Sequence, residues 1–404
     1  MTKNPPEGRG CILVLTSTFP RREGDAEPGF VFDLCRCLAE EWEVTVLAPH
    51  APGARTAETL SGVGVVRFRY GPERWERLVY EGGIMANLRR NPLLYLMLPL
   101  FFLAQLRMLM ALMRRLRPAA VHAHWIVSQG IVLAAAAVLG AKGPRLICTA
   151  HGSDVSALRG GLWRAVRRWV ARRCDGIVAV SEALKARLVA EGCPIGRIEV
   201  VPMGADLETL FVPSESRRNA AEILFVGRLV PGKGADLLLR ALPAVFAACP
   251  DATLTLVGGG PERENLVALA RQLDVVPRVN FLGPLPHAAL AERYRRTAVT
   301  VLPSREEGFG LVLVEAMGCG CPVAASDIPS LRELLQDGEA GRLFRAGDAE
   351  DMARTLIELL ADDAARLGLA ARGRAHAVAL FGWRALAQRY ALLLAAEQEG
   401  AGHA

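Results

Sequence analysis

Residues 223–257 read ILFVGRLVPGKGADLLLRALPAVFAACPDATLTLV. Two short apolar runs, 223–226 and 254–257, enclose a glycine-rich turn and a stretch, 235–248, whose apolar residues recur at helical spacing. Apolar runs of four or five residues that do not alternate with polar ones fit strands covered on both faces. A strand, a helix and a second strand in that order make a crossover, and therefore a parallel pair. The rhythm continues through 279–282, 299–302 and 322–325. It also precedes this stretch, at 11–15, 44–47, 63–68, 119–123, 146–149, 177–180 and 198–201. Helical patterns at 30–40, 181–190 and 262–273 fall between these runs. Two such series predict an α/β chain of two doubly wound domains.

Composition agrees. The 404 residues exceed one ordinary domain, and 51% hydrophobic with 22% charged residues can build large cores. The break between the series falls at 202–218, which holds Pro202, Gly204 and Pro213 without periodicity and reads as a linker. This divides the chain into 1–205, 206–380 and a C-terminal segment, 381–404. Residues 381–398 of that segment read as a single amphipathic helix able to cross back to the first domain. The formal net charge of +6 suits an anionic partner such as a nucleotide phosphate or an acidic lipid surface. Nucleic acid is disfavoured, because the arginines are spread over helices with no aromatic platform. The nine cysteines include close pairs at Cys35/Cys37 and Cys319/Cys321, without CxxC spacing or a nearby histidine. They read as reduced thiols in a cytosolic protein. No signal peptide is apparent at the N-terminus.

Two stretches bear on a membrane. From Leu93 to Met113 the chain is strongly apolar but contains Pro99, Gln105 and Arg107. Its uncharged part is shorter than the roughly 20 residues of a spanning helix, so a buried or interface-lying helix is expected. From Leu162 to Arg173, Trp163, Val166 and Val170 fall on one helical side and Arg164, Arg168 and Arg172 on the other, with Arg167 and Arg173 spoiling the split. Such a helix suits an anionic membrane surface or packs on its own sheet.

Chemistry concentrates at strand-to-helix corners. Residues 305–315 read REEGFGLVLVE. They leave a strand near Leu302, turn through two glycines and enter a helix near Leu311. In an open parallel sheet this corner faces the ligand crevice, and free backbone N–H groups there favour an anion. Glu315 lies within an apolar helix, where a carboxylate needs a partner: ribose hydroxyls or a salt bridge in the core. Glu307 in the loop can reach a sugar hydroxyl or remain a solvated charge. Arg228 and Lys233, in the corner after 223–226, can neutralise a pyrophosphate and the charge that develops as it leaves. His151 follows the strand 146–149 and is either structural or directed at a ligand. His122 and His124 share one strand face, weak evidence for a metal. The chain has no Walker A, HExxH, GxSxG or Asp-x-Asp motif, so no metal is expected and the two cations would supply the positive charge.

Taken together these segments resemble glycosyltransferase family 4, retaining enzymes of the GT-B fold in which two Rossmann-like domains face each other across a cleft. The resemblance starts at Thr16-Ser17-Thr18-Phe19-Pro20. It continues through His122-Ala123-His124-Trp125, His151-Gly152-Ser153-Asp154, Val180-Ser181-Glu182 and Val201-Pro202-Met203-Gly204-Ala205-Asp206. It then takes in Gly227-Arg228-Leu229 with Lys233-Gly234, and Val257-Gly258-Gly259-Gly260-Pro261. It ends on Glu307 and Glu315, two glutamates with seven residues between them. It implies that Arg228 and Lys233 bind the donor diphosphate, Glu315 the ribose and Glu307 the sugar. Phe309, Gly310 and Leu311 would offer backbone amides, His151 would contact the sugar near the reacting carbon, and Gly29 would lie by the phosphates. The chain departs from the family at Pro202-Met203-Gly204, where an asparagine is usual, and from Arg21 to Gly29, which replaces a Gly-Gly turn. The implied reaction moves a hexose from a UDP- or GDP-sugar to a glycan or lipid-linked acceptor at the inner membrane face. The alternatives are a nucleotide-sugar epimerase or hydrolase on the same fold, and a non-catalytic carbohydrate-binding protein.

Overall fold

The computed structural model describes residues 10–395 apart from 23–24, 26–28, 81–82, 141–142 and 215–217. The chain forms two compact units, Met1–Pro202 with Arg384–Ala404, and Met203–Trp383.

Among the described residues the first unit holds an eight-stranded sheet: β1 Cys11–Leu15, β2 Glu43–Pro49, β3 Ala57–Leu60, β4 Val63–Phe68, β5 Ala120–His124, β6 Arg145–Ala150, β7 Gly176–Ala179 and β8 Ile198–Val200. The order is β3-β4-β2-β1-β5-β6-β7-β8. Every pairing is parallel except β3 with β4. The second unit holds β9 Glu222–Val226, β10 Thr253–Val257, β11 Val279–Gly283, β12 Val299–Leu302, β13 Val323–Asp327 and β14 Arg342–Arg345, in the all-parallel order β11-β10-β9-β12-β13-β14. In each sheet the order reverses beside its first strand, between β1 and β5 and between β9 and β12. In doubly wound folds ligands bind outside the carboxyl ends of the strands at that reversal.

The apolar runs are strands because both faces are covered: β9 and β12 are buried along their whole lengths. Ile223, Phe225, Leu238, Leu242, Leu254, Val299 and Leu356 form the centre of the second core. The helix Ala235–Ala248 spans the expected residues, and Gly234 ends the turn before it in a left-handed conformation.

Several expectations need correction. Two edge strands, β3 and β14, were missed. β3 joins β4 through Ser61 and Gly62, both at positive φ (45° and 87°), a two-residue hairpin turn whose Ser-Gly signal is short and easily passed over. The helix expected at 30–40 ends at Leu38. The segment 202–218 is no free linker. Leu207 and Phe211 are buried, Arg295 donates to the carbonyls of Leu210 and Val212, and Arg218 donates to those of Tyr294, Thr297 and Cys319. The helix expected over 381–398 is broken at Gly382. One helix, Asp363–Phe381, ends there, and Trp383–Ala395 begins after it; 396–398 lie outside the described residues. The later helix belongs to the first unit, where Arg389 donates to the Val200 carbonyl and Tyr390 lies against His122 (centroids 5.3 Å apart).

The stretch from Leu93 to Met113 is helical from Pro92 to Leu116, 25 residues, enough by length and composition to cross a membrane. The expectation counted only the uncharged part and so undercounted the helix. Its residues Phe101, Gln105, Leu109 and Leu112 are nevertheless buried along one stripe. Leu93 and Leu96 are 72% and 74% exposed, and Tyr95, Leu100 and Leu103 are exposed as well. The second basic stretch is the helix Gly161–Arg173; Val170 is buried and Trp163 and Val166 half-buried on its inward side while Arg164, Arg168 and Arg172 are exposed, as expected, and Arg167 joins the inward side. Arg167 is fully buried, bonded to Glu191 at 2.5 Å and to the carbonyls of Asp154 and Leu158. It is a structural cation, which explains why it spoiled the pattern.

Truncating a core side chain in the second unit should be costly, and truncating an exposed one should not. Leu242→Ala is expected to lose about 2–5 kcal/mol in denaturant unfolding. Leu367→Ala, at 60% exposure, should stay within about 0.5 kcal/mol of the parent.

Candidate active site

In the second unit the corners after β9 and β12 flank the reversal of strand order and lie against each other. A Cβ on Gly234, whose φ is +70°, would sit 1.9 Å from the Pro303 carbonyl oxygen, so only glycine permits this approach. Gly258 (φ +130°) does the same beside Gly227, where an added Cβ would stand 1.9 Å from the carbonyl oxygen. The turn Pro231–Lys233 therefore presents Lys233 to the loop after β12, and the Lys233 ammonium pairs with the Glu307 carboxylate. The carboxylate also accepts from Ser304 Oγ (3.2 Å) and from the Gly308 amide (3.2 Å), while Ser330 Oγ donates to the Glu307 carbonyl at 2.8 Å. Both pair members are mostly enclosed, with side chains 27% and 13% exposed. A carboxylate held by three groups needs little reorganisation when a hydroxyl arrives.

Arg228 lies on the surface of the corner after β9, and among the described residues no carboxylate pairs with it. Gly310 is the N-cap of the helix Leu311–Gly318, with Phe309 buried before it against Phe381 (centroids 5.5 Å apart). Glu315 is 5% exposed within that helix and accepts from the Tyr294 hydroxyl at 3.0 Å. Burial and the neighbouring carboxylate push the Tyr294 phenol well above its ordinary range, so the hydroxyl keeps its proton and acts as donor. The structure thus brings Lys233 and Glu307 together and gives Glu315 a tyrosine partner. Tyr294 was missed because a tyrosine on an amphipathic helix carries no signal until its neighbour is known. Arg305 and Asp236, which form a bidentate pair at 2.7 and 2.8 Å across the same two corners, were also missed.

His151 and Gly29 belong to the first unit. Gly29 is the N-cap of the helix Phe30–Leu38, and its carbonyl accepts from the Asp33 amide at 2.8 Å. The next residue, Phe30, lies 5.0 Å from the His151 ring. His151 stacks on His124 (5.2 Å, 19°), with His151 Nε2 and His124 Nδ1 3.0 Å apart. His124 in turn lies 4.3 Å from His122, whose Nε2 meets Thr149 Oγ1 at 2.7 Å. These are two buried histidines of β5 and a half-buried one from the loop after β6, in one column. Asp154 fixes the loop by accepting from the backbone amides of Ile126 (2.7 Å), His151 (3.2 Å) and Gly152 (3.0 Å). Trp125, at the end of β5, takes φ +70°, a conformation that costs a non-glycine residue energy and that clusters at functional sites.

Burial removes charge from this column. It lowers the His122 and His151 pKa values to about 3, and that of His124 well below its ordinary value with help from the two neighbouring rings. The imidazoles are neutral at physiological pH and serve as hydrogen-bonding and packing groups. Between about pH 3 and 6.5 the unfolded chain binds protons that the folded unit excludes, so the stability is complete above 6.5 and falls as pH drops. The thermal midpoint should decline from pH 7 to pH 4.5, and His122→Leu should make that decline shallower.

Residues 30–209 match the model for Glycosyltransferase Family 4, and residues 207–376 that for Glycosyl transferases group 1. The chain is 29% identical over 289 residues to a GDP-mannose-dependent alpha-(1-6)-phosphatidylinositol monomannoside mannosyltransferase of Mycolicibacterium smegmatis, covering 66% of this chain and 76% of that one. It is 30% identical over 297 residues to glycogen synthase of Mycobacterium tuberculosis, covering 71% of each. Among solved structures, sucrose-phosphate synthase from Thermosynechococcus elongatus superposes with a TM-score of 0.78 at 25% identity, over 95% of this chain and 98% of that one.

Proposed function

The chain belongs to glycosyltransferase family 4, with the GT-B fold, and we propose that its second unit binds a nucleotide diphosphate sugar at the corners after β9 and β12 and passes the hexose to a glycan or lipid-linked acceptor held by the first unit. The observation that carries this reading is the seating of Lys233 and Glu307 against each other at the strand-order reversal of the second sheet. In this reading Arg228 and Lys233 neutralise the diphosphate, including charge that accumulates on it as the glycosidic bond breaks. Lys233 exchanges part of its bond to Glu307 for a phosphate oxygen, and Glu307 turns its second lone pairs to the sugar hydroxyls. The amides at the start of the helix Leu311–Gly318, with Phe309, Gly310 and Leu311 around them, complete the anion site. Glu315, oriented by Tyr294, receives the ribose hydroxyls. His151, neutral in its column, offers a hydrogen bond rather than a charge to the sugar, and Gly29 stands at the start of the helix whose first residue, Phe30, lies against the His151 ring. With no second carboxylate assigned as a base, the departing phosphate takes the acceptor's proton, and configuration at the anomeric carbon is retained. The two cations supply the charge a metal would otherwise carry.

Thermal denaturation with UDP, GDP and ADP tests the donor site. The nucleotide that binds should raise the stability by about 2.7 kcal/mol at 100 times its dissociation constant. Glu315→Ala and Lys233→Ala should abolish most of that shift, and EDTA should leave it in place. A chain that no nucleotide stabilises would overturn this reading.

We infer, too, that the acceptor is met at an anionic membrane surface, at the inner face of the cell membrane. Residues 82–153 contain seven arginines, one lysine and no acidic residue. Within them Leu93, Tyr95, Leu96, Leu100 and Leu103 form an exposed apolar ridge next to the exposed Arg89, Arg90 and Arg107. The helix Gly161–Arg173 adds exposed Leu162, Arg164, Arg168 and Arg172. Apolar residues flanked by arginines suit an interface rich in anionic headgroups. The protein should float with vesicles containing phosphatidylglycerol and bind neutral vesicles far less. The Leu96→Ser/Leu103→Ser double variant should lose at least about tenfold in vesicle affinity, since each buried leucine is worth roughly 1.5–3 kcal/mol.

A further inference from the structure

The two corners that hold Lys233 and Glu307 are joined by more than that one pair. Arg305, two residues before Glu307, donates its backbone amide to the Gly232 carbonyl at 2.8 Å. Its guanidinium donates from Nη1 to the Pro231 carbonyl at 2.5 Å. The same group forks onto Asp236, with Nη1 to Oδ1 at 2.8 Å and Nη2 to Oδ2 at 2.7 Å. These four bonds reach residues 231, 232 and 236, on both sides of Lys233. Asp236 stands in the first turn of the helix Ala235–Ala248, where a negative charge is favoured. The Arg305 bond also holds the Asp236 carboxyl below its usual range. The side chains are 42% and 38% exposed, so an isolated pair of this kind would add little stability. What the fork adds is geometry: a planar guanidinium on a carboxylate fixes both angle and distance.

We propose that Arg305 and Asp236 are positioning residues for the donor site, a strap that sets where the Lys233 ammonium stands relative to the Glu307 carboxylate. The proposal rests on the donor reading given above. Without the strap the turn Pro231–Lys233 is held to the other corner by the Lys233–Glu307 pair, the Arg305 amide and the Gly234–Pro303 backbone approach, and once Lys233 exchanges part of that pair for a phosphate it samples positions that meet the diphosphate less well. Neither strap residue touches the donor, and the strap acts through Lys233 alone.

Calorimetric titration with UDP, GDP and ADP, alongside thermal midpoints, separates the possibilities. Arg305→Ala and Asp236→Asn should weaken the nucleotide diphosphate that the parent binds by about threefold to tenfold. The midpoint should stay within about 2 °C, because the pair lies at the surface. Arg305→Lys keeps the charge without the fork and should bind between the parent and Arg305→Ala. The Arg305→Asp/Asp236→Arg exchange should recover at least half of the lost binding free energy, which a purely electrostatic or purely folding role would not predict in combination with the lysine result. Equal binding by parent and variants overturns the strap while leaving the donor reading intact. So does a loss of affinity that tracks a fall in midpoint and is not recovered by the exchange. If the parent binds none of the three nucleotides, the donor reading fails and the strap has nothing to position.

Discussion

A Cβ on Gly234 would lie 1.9 Å from the Pro303 carbonyl oxygen, and the second unit is arranged around that contact. It lets the backbone after β9 run against the backbone after β12, the two strands between which the order of the parallel sheet reverses. Lys233 precedes that glycine and Glu307 follows that proline, so the approach of two backbones becomes the approach of two charges. The apolar strands beneath cannot move, being buried on both faces, and the corners inherit their rigidity. Ser304, Gly308 and Ser330 then hold the Glu307 segment from the other side. The value of this pair lies in being placed before a ligand arrives.

The first unit treats polar groups in the opposite way. His122 and His124 are buried and His151 half-buried in one column, and desolvation lowers their pKa values rather than a counter-ion balancing their charge. The loop that carries His151 is tied by Asp154 to the chain after β5 through backbone amides. Arg167 shows the remaining option: a cation buried but matched by Glu191 and two carbonyls. Each solution avoids an unpaired buried charge, the costliest outcome for a folded chain. The apolar ridge from Leu93 to Leu103 is the exception to economical burial in this unit, and the stretch of sequence that carries it, residues 82–153, has basic but no acidic residues.

The class of fold was legible because parallel strands covered on both faces are largely apolar, as Ile223–Val226 of β9 is throughout and as β10 and β12 are apart from their threonines. Of the edge strands, β3 and β14 escaped because they are partly exposed and their sequences, Ala-Glu-Thr-Leu and Arg-Leu-Phe-Arg, lack that signature. The segment 202–218 was misread because its anchors, Arg218 and Arg295, bind backbone carbonyls, which leave no trace in side-chain pattern. The break at Gly382 was passed over because helical periodicity resumes at once on its far side.

For the candidate site, residue type and position at a strand-to-helix corner singled out Arg228, Lys233, Glu307 and Glu315 before any coordinates. A buried carboxylate and a glycine-rich turn are visible in one dimension, since each is an exception to what surrounds it. Which groups satisfy one another was not visible. Lys233 lies 74 residues from Glu307, Asp236 lies 69 from Arg305 and Tyr294 lies 21 from Glu315. Such pairings depend on strand order and on where each corner points. Local sequence determined the strands, the helices and the candidate charged groups, because those follow from burial and backbone preference over a few residues. Tertiary structure alone decided the partners, because a hydrogen bond a few ångströms long is set by the path of the whole sheet.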